Sequence, residues 1–454
     1  MIDRQQVIDL TNEWLANKEY FLVDVVISKD DKITVEIDHA EGVWIEDCAD
    51  LSRHIESGLN GEADDYELEV GSAGLGQPFK VYQQYRNHIG MNPLINTLTS
   101  ESIALLKEMI AIPSPSFNED EVCSHICQWL SSKGIEHERV DNNIIAEHVS
   151  DPSYPTLMLC AHIDTVSPCE GYSFDPYKPE NSPEGVIQGL GSNDDSASVV
   201  SMIAAYRYFI EGSTVLDTTD TPQTRMNLTL VLTCEEERSG KDGMTGLWGK
   251  RLNRIDYAIV GEPTEMKAAT SERGLLVIDA TAHGVSGHAA RNEGKNALYI
   301  ALEDIEKLRN HVFTKVSPKM GKVNLNVTQI SAGSAHNVIP DRCDFVIDIR
   351  PTEQYSNEEI LHELQGICES ELKPRNLANR SSATHEGSPL ERVAEQMNIE
   401  TFSSATTSDW MRITCDAIKM GPGDSNRSHR KDEYVTVQEI ESGIITYIEF
   451  IKNL

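Results

Sequence analysis

The run Leu228-Thr229-Leu230-Val231-Leu232-Thr233-Cys234 is apolar and β-rich, and it ends in three consecutive carboxylates, Glu235, Glu236 and Glu237. A run of that length and composition predicts a buried strand. Acidic groups at the end of a buried strand are costly to desolvate unless a cation meets them. The tip is therefore either a solvated acidic loop or a metal site with a general base beside it. With a formal net charge of −34, the loop is the ordinary expectation, so other segments that end the same way must decide.

At 454 residues the chain is too long for one ordinary domain, and two or three are expected. Hydrophobic residues make up 39% and charged residues 25%, the balance of a soluble globular protein. The excess of acid disfavours nucleic-acid phosphates and anionic membrane surfaces, so neither DNA nor a membrane is expected as a partner. A local basic pocket for a carboxylate substrate remains compatible with it. No apolar stretch is long enough to span a bilayer, and the first residues lack the basic and apolar regions of a signal peptide. The nine scattered cysteines are expected to be free thiols, which with the missing signal points to the cytoplasm.

Residues 1–90 read as a small α+β unit. An amphipathic helix over Ile2–Leu15 precedes strands at Phe21–Ile27 and Ile33–Ile37, joined by a turn at Lys29–Lys32. A helix over Ile45–Leu59 and a strand at Tyr66–Val70 follow. From Met91 the pattern becomes α/β, with helices at Ser102–Ile112, Glu119–Gly134 and Ala197–Ile210 among strands at Ile144–His148, Thr156–Cys160, Leu228–Thr233 and Tyr257–Val260. Residues 272–376 change again, to strand (Leu275–Ala282), helix (Leu298–His311), strands (Val323–Ile330, Arg342–Arg350) and helix (Asn357–Leu372), an inserted open-faced sandwich. The α/β pattern then resumes with a helix at Pro389–Met397, a strand at Asp416–Met420 and a last helix at Ile440–Ile451.

Five segments place ligand-type residues at the ends of apolar runs. They are Leu157–Val166, with His162 and Asp164; Gly189–Asp195; Glu235–Glu237; Ile259–Thr264, with Glu262; and Gly421–Tyr434, with His429. Taken singly, each has a structural explanation, such as a tight turn or a strand-end histidine. In an open α/β sheet, however, the carboxyl ends of the strands meet at one crevice. Two histidines and three carboxylates gathered there suit two divalent metals, zinc first, with cobalt or manganese compatible. Neighbouring metals also need an acidic ligand between them.

The joint pattern resembles the co-catalytic zinc hydrolases that include acetylornithine deacetylase, succinyl-diaminopimelate desuccinylase, carboxypeptidase G and aminoacylase. The resemblance covers nearly all of residues 91–454. Gly189-Leu190-Gly191-Ser192-Asn193-Asp194, Cys234-Glu235-Glu236-Glu237 and Gly261-Glu262-Pro263-Thr264 bring it nearest the acetylornithine or succinylornithine deacetylases of Bacteroidetes-type arginine synthesis. It implies a zinc-exopeptidase-like α/β core over residues 91–271 and 377–454, and an inserted α+β dimerisation (lid) domain over 272–376. By the same resemblance His162 and His429 each serve one metal, Asp194 bridges both, and Glu237 and Glu262 complete the sites. Asp164 would orient the His162 ring and Glu236 would be the general base. Glu235 stands where the family has Asp, and neither its role nor that of Asp195 is assigned. His288, in Gly287-His288-Ala289, would hold the oxyanion from a partner subunit, which implies a homodimer formed through 272–376. Asn337 and Arg350 occupy family positions that touch substrate; the alternative for Arg350 is an ion pair with Asp348 or Glu353.

Residues 1–90 resemble the N-terminal domain of bacterial ribosome maturation factor P. The resemblance rests on Leu22-Val23-Asp24-Val25, on Asp47–Arg53 and on Leu68-Glu69-Val70-Gly71-Ser72-Ala73-Gly74-Leu75-Gly76-Gln77-Pro78, where Gly71 and Ala73 depart from the signature. The family's second, β-barrel domain does not follow. This unit is expected to be a folded appendage, with contact to the small ribosomal subunit as the functional alternative. The expected activity is hydrolysis of the amide of N2-acetyl- or N2-succinyl-ornithine. The rivals are an aminopeptidase or dipeptidase on the same scaffold, and a ribosome-assembly adaptor led by residues 1–90.

Overall fold

The computed structural model describes residues 4–16, 18–28, 32–39, 42–59, 66–72, 93–215, 224–252, 254–291 and 293–454. The turn expected at Lys29–Lys32, the Ala73–Pro78 part of the N-terminal signature and Met91 fall wholly or mostly outside them. The chain divides into two compact units, residues 1–100 with 393–399, and residues 101–392 with 400–454.

In the first unit, helix α1 (Arg4–Leu15), strands β1 (Phe21–Ile27) and β2 (Lys32–Asp38), helix α2 (Ile45–Gly58) and strand β3 (Glu67–Ser72) follow one another. The sheet order is β1-β2-β3, the first pair antiparallel and the second parallel. Alternation along β2 sends Ile33, Val35 and Ile37 into a core with Val7, Leu51 and Ile55 from the helices.

The second unit continues with strands β4 (Glu138–Val140), β5 (Asn143–His148), β6 (Thr156–His162), β7 (Val186–Gln188), β8 (Asn227–Thr233), β9 (Tyr257–Val260) and β10 (Ala268–Glu272). Its sheet runs β17-β10-β19-β9-β6-β8-β5-β4, with β18 also on β10; here β17 is Ser382–Ala383, β18 Thr401–Ser404 and β19 Asp416–Lys419. Neighbours β19, β9, β6 and β8 are mutually parallel, so their carboxyl ends share one edge. All seven residues of β8 are buried, as a continuous apolar run requires of a strand covered on both faces. The helices Ser196–Val215 and Val437–Asn453 belong to this layer, and a capping box at Thr436 and Glu439 starts the second.

Between β10 and β17, which pair with each other, an insertion carries β11 (Leu276–His283), β12 (Gly287–His288), β13 (Asn324–Ala332), β14 (Val338–Ile339), β15 (Arg342–Arg350) and β16 (Glu371–Pro374). Four of these strands form an antiparallel sheet in the order β13-β15-β11-β16. The helices Ala297–Asn310 and Asn357–Gln365 cover one face around Ile278, Phe345, Ile347 and Leu364. The helix expected to run from Asn357 to Leu372 stops at Gln365, with Gly366 at its cap, and the chain then forms β16. The short strands β10 and β18 were also absent from the sequence expectation. Ala268-Ala269-Thr270-Ser271-Glu272 has no apolar period; its register comes from its neighbours. No helix among the described residues is long and apolar enough to cross a membrane.

Leu230, fully buried in β8, should be among the most costly truncations. Leu230→Ala is expected to destabilise the second unit by about 2–5 kcal/mol, read as a lower urea midpoint of its unfolding transition.

Candidate metal centre

Each parallel strand delivers one part of the site. His162 closes β6, the Glu235–Glu237 turn follows β8, Glu262 follows β9, and the chain after β19 leads to His429. Gly261 permits the β9 exit: a Cβ there would lie 2.6 Å from Cβ of Ser198. Nδ1 of His162 is 2.9 Å from the carbonyl oxygen of Asp164. A carbonyl only accepts, so Nδ1 carries the proton and Nε2 presents its lone pair to the cleft. Nε2 lies 3.2 Å from Oδ1 of Asp194, whose other oxygen, Oδ2, is 3.6 Å from Nε2 of His429. One carboxylate thus faces both histidines with different oxygens, the arrangement a bridging ligand needs. His429 also meets Oε1 of Glu237 at 2.9 Å.

Among the described residues, ligand atoms fall into two groupings within 4.8 Å, His162 with Asp194 and Glu237, and His162 with Glu236 and Glu262. By distance alone Glu236 belongs among the ligands as much as Glu262 does. Burial pushes the Glu236 and Glu262 carboxyls well above the ordinary carboxylate range, and the charges of neighbouring carboxylates add to the effect. Burial acts the same way on Asp194, but the hydrogen bond and charge of His162 outweigh it and hold that group low. The Glu237 contact raises His429 to about 8. Such a donor set is short of positive charge, and nitrogen and carboxylate donors are those that zinc or cobalt takes. The residues therefore fit two divalent cations. The cleft, about 200 Å³, is also lined by Thr406, Thr407, Ser425 and Ser428. Hollows of about 570 and 620 Å³, on the insertion's sheet and at the opposite strand ends, are larger, but among the described residues their histidines and carboxylates form no group of three close enough to hold a cation.

The carboxylates that do not face the cleft are bonded to backbone. Asp164 accepts the amide N–H of Glu236 at 3.0 Å and of Glu237 at 3.2 Å, and the Ser116 hydroxyl at 2.7 Å. The Asp164 carbonyl accepts from Nδ1 of His162, its Oδ1 lies 3.5 Å from the same nitrogen, and its carboxylate caps the acidic turn. Glu235, in the left-handed region at φ +60°, accepts the N–H of Asp242 and gives its own N–H to buried Glu119. Its carboxylate thus staples the loop. Asp195, joined to Asp194 by a cis peptide, accepts the backbone N–H of His162 at 3.3 Å. Glu433 takes three backbone N–H groups, of Gly191, Asn193 and Asp194, each at 2.9 Å. Neither Glu119 nor Glu433 was picked out from the sequence. Glu433 lay inside the fifth segment, and its place shortly after His429 was the available signal.

The other expected site residues lie elsewhere. His288 and Asn337 meet on the exposed β12–β14 ribbon, where the N–H of Ala289 donates to the Asn337 carbonyl at 3.1 Å. Neither lines the cleft. Arg350 takes the alternative open to it in the sequence. Its Nε and Nη2 hold both oxygens of Asp348, at 3.0 and 3.2 Å, because residues two apart in a strand share a face.

The M20 peptidase dimerisation domain matches residues 270–376, peptidase family M28 matches 143–260, and the RimP N-terminal domain matches 10–76. The chain is 27% identical over 388 residues to a succinyl-diaminopimelate desuccinylase of Xanthomonas campestris, covering 79% of this chain and 100% of that one. It is 49% identical over 89 residues to ribosome maturation factor RimP of Porphyromonas gingivalis, covering 20% of this chain and 59% of that protein's length. In fold it is similar to the aminopeptidase PepT of Bacillus cereus, with TM-score 0.62 and 17% identity over 78% of this chain and 98% of that one. A dinuclear metal-binding M20 peptidase of Bacillus subtilis aligns with TM-score 0.60 and 15% identity over the same shares.

Glu433→Gln leaves one of the three amide donors without an acceptor. It is expected to weaken metal binding by about 10–100-fold, measured by titrating metal into apo-protein, with the fold intact by circular dichroism. The strand-end donor set, the matched dimerisation domain and an alignment that spans the whole of a desuccinylase make this chain a metal-dependent amidohydrolase or peptidase, similar to the M20 hydrolases and carrying a RimP-type N-terminal domain.

Proposed function

We propose that the chain hydrolyses the amide of an N-acyl amino acid, N2-acetyl- or N2-succinyl-L-ornithine, to release ornithine for arginine synthesis in the cytoplasm. The observation that carries this reading is Asp194 facing His162 and His429 with separate oxygens, beside a Glu236 whose carboxyl favours the proton. His162, Asp194 and Glu262 would hold one cation, and Asp194, Glu237 and His429 the other, with zinc preferred. When bound, the two cations lower the pKa of water and polarise an amide carbonyl. Glu236 takes a proton from the attacking water at a carboxylate oxygen and returns it to the departing amine nitrogen. Its raised proton affinity suits both halves of that exchange. His288, brought by a second copy through residues 272–376, would donate to the developing oxyanion. Asn337 and Arg350 would receive the rest of the substrate. A substrate α-carboxylate and Asp348 would then compete for the same two nitrogens of Arg350.

The alternative for the N-terminal unit is contact with the small ribosomal subunit, favoured by its 49% identity to a RimP segment. Co-sedimentation of the full chain with small subunits would support it, and a chain left in the supernatant would leave that unit an appendage.

Zinc- or cobalt-loaded protein is expected to cleave acetyl- or succinyl-ornithine, and a chelator should abolish turnover until metal is restored. Cleavage of di- and tripeptides alone would replace the deacylase reading with a peptidase. Glu236→Ala should keep its metal content while turnover falls by ~10²–10⁴-fold. Full activity of that variant with metal bound would remove Glu236 as the base.

A further inference from the structure

One wall of the cleft is held by a buried ion pair that contributes no atom to the ligand set. Thr406 and Thr407 line the cleft. Behind them lie Lys419, the last residue of β19, and Glu272, the last of β10, both fully buried, with Nζ 3.3 Å from Oε2. The ammonium also donates to the carbonyl of Thr406 at 3.0 Å and to its hydroxyl at 3.3 Å. The same oxygen of Glu272 accepts the Ser408 hydroxyl at 2.7 Å, and its other oxygen accepts Ser382 at 3.3 Å. Asp409, the next residue, accepts the Thr233 hydroxyl at 2.6 Å, which ties the loop to the end of β8.

A buried ion pair is a poor source of stability, since well-packed apolar residues of the same size often do as well. Apolar residues cannot hold the Thr406 carbonyl and the Ser408 hydroxyl on either side of Thr407. We propose that Lys419 and Glu272 are positioning residues that fix residues 406–408 as a rigid wall of the substrate cleft, and so set substrate affinity rather than turnover. The affinity half rests on the N-acyl amino acid substrate proposed above. The wall itself does not.

The test replaces both partners, Lys419→Met with Glu272→Leu, in the full zinc-loaded chain. Removing both charges leaves the local net charge unchanged and no unpaired ion behind. Hydrogen exchange at residues 405–408 is expected to speed up by at least ~30-fold, while β10 and β19 stay within about threefold of wild type. KM for the cleaved N-acyl amino acid should rise about tenfold, with kcat within about threefold and zinc content unchanged. Unchanged loop exchange in the folded double variant overturns the positioning role, and a loosened loop with unchanged KM overturns the control of affinity. If the double variant does not fold, Ser408→Ala removes a single bond to Glu272. It should raise loop exchange and KM by about threefold, and wild-type values for both would overturn the proposal. If the wild type cleaves no N-acyl amino acid, the substrate reading fails, and loop exchange alone judges the wall.

Discussion

Like charges gathered at the carboxyl ends of four parallel strands are the constraint to which the rest of the second unit answers. Asp194, Glu236, Glu237 and Glu262 share one small cleft, and burial raises the proton affinity of two of them. The fold answers with a second set of acids. Asp164, Glu119, Asp195 and Glu433 are buried, and each accepts at least one backbone N–H that shapes a ligand-bearing turn. One set of carboxylates is left for cations, and the other sets the positions of the first.

The elements that carry the site were legible because they obey simple rules. An all-buried parallel strand is a continuous apolar run, and β8 reads that way from Leu228 to Thr233. Strand ends converge in an open α/β sheet, which is why the sequence pattern alone groups His162, Glu237, Glu262 and His429. The supporting acids were not legible. Glu119 acts on Glu235 from more than a hundred residues away, and Glu433 acts on a turn before the helix Ser196–Val215. Partners of backbone amides follow from three-dimensional proximity and leave no periodic trace.

Local chemistry explains the remaining differences. The expected helix over Asn357–Leu372 ran through Gly366, a residue whose lack of a side chain marks helix ends, and the real helix stops there. Arg350 and Asp348, two apart on β15, were already placed on one face by strand alternation, and their pairing follows from that geometry. Strands β10 and β18 are too short and too polar to announce themselves. Yet β10 supplies Glu272, and the loop after β18 supplies Thr406 and Thr407 to the cleft wall.

The Glu433 carboxylate grips the Gly191–Asp194 turn, and between the two in sequence lies the whole insertion from β11 to β16. The order of synthesis is therefore the reverse of the order of need. The turn that carries Asp194 is made before the insertion, but the residue that shapes it emerges only after the inserted sheet and its two helices. From the synthesis of Glu237 until that of Glu433 a nascent chain presents its acidic strand ends without their final geometry, so a competent metal cage is a late event in the life of each molecule.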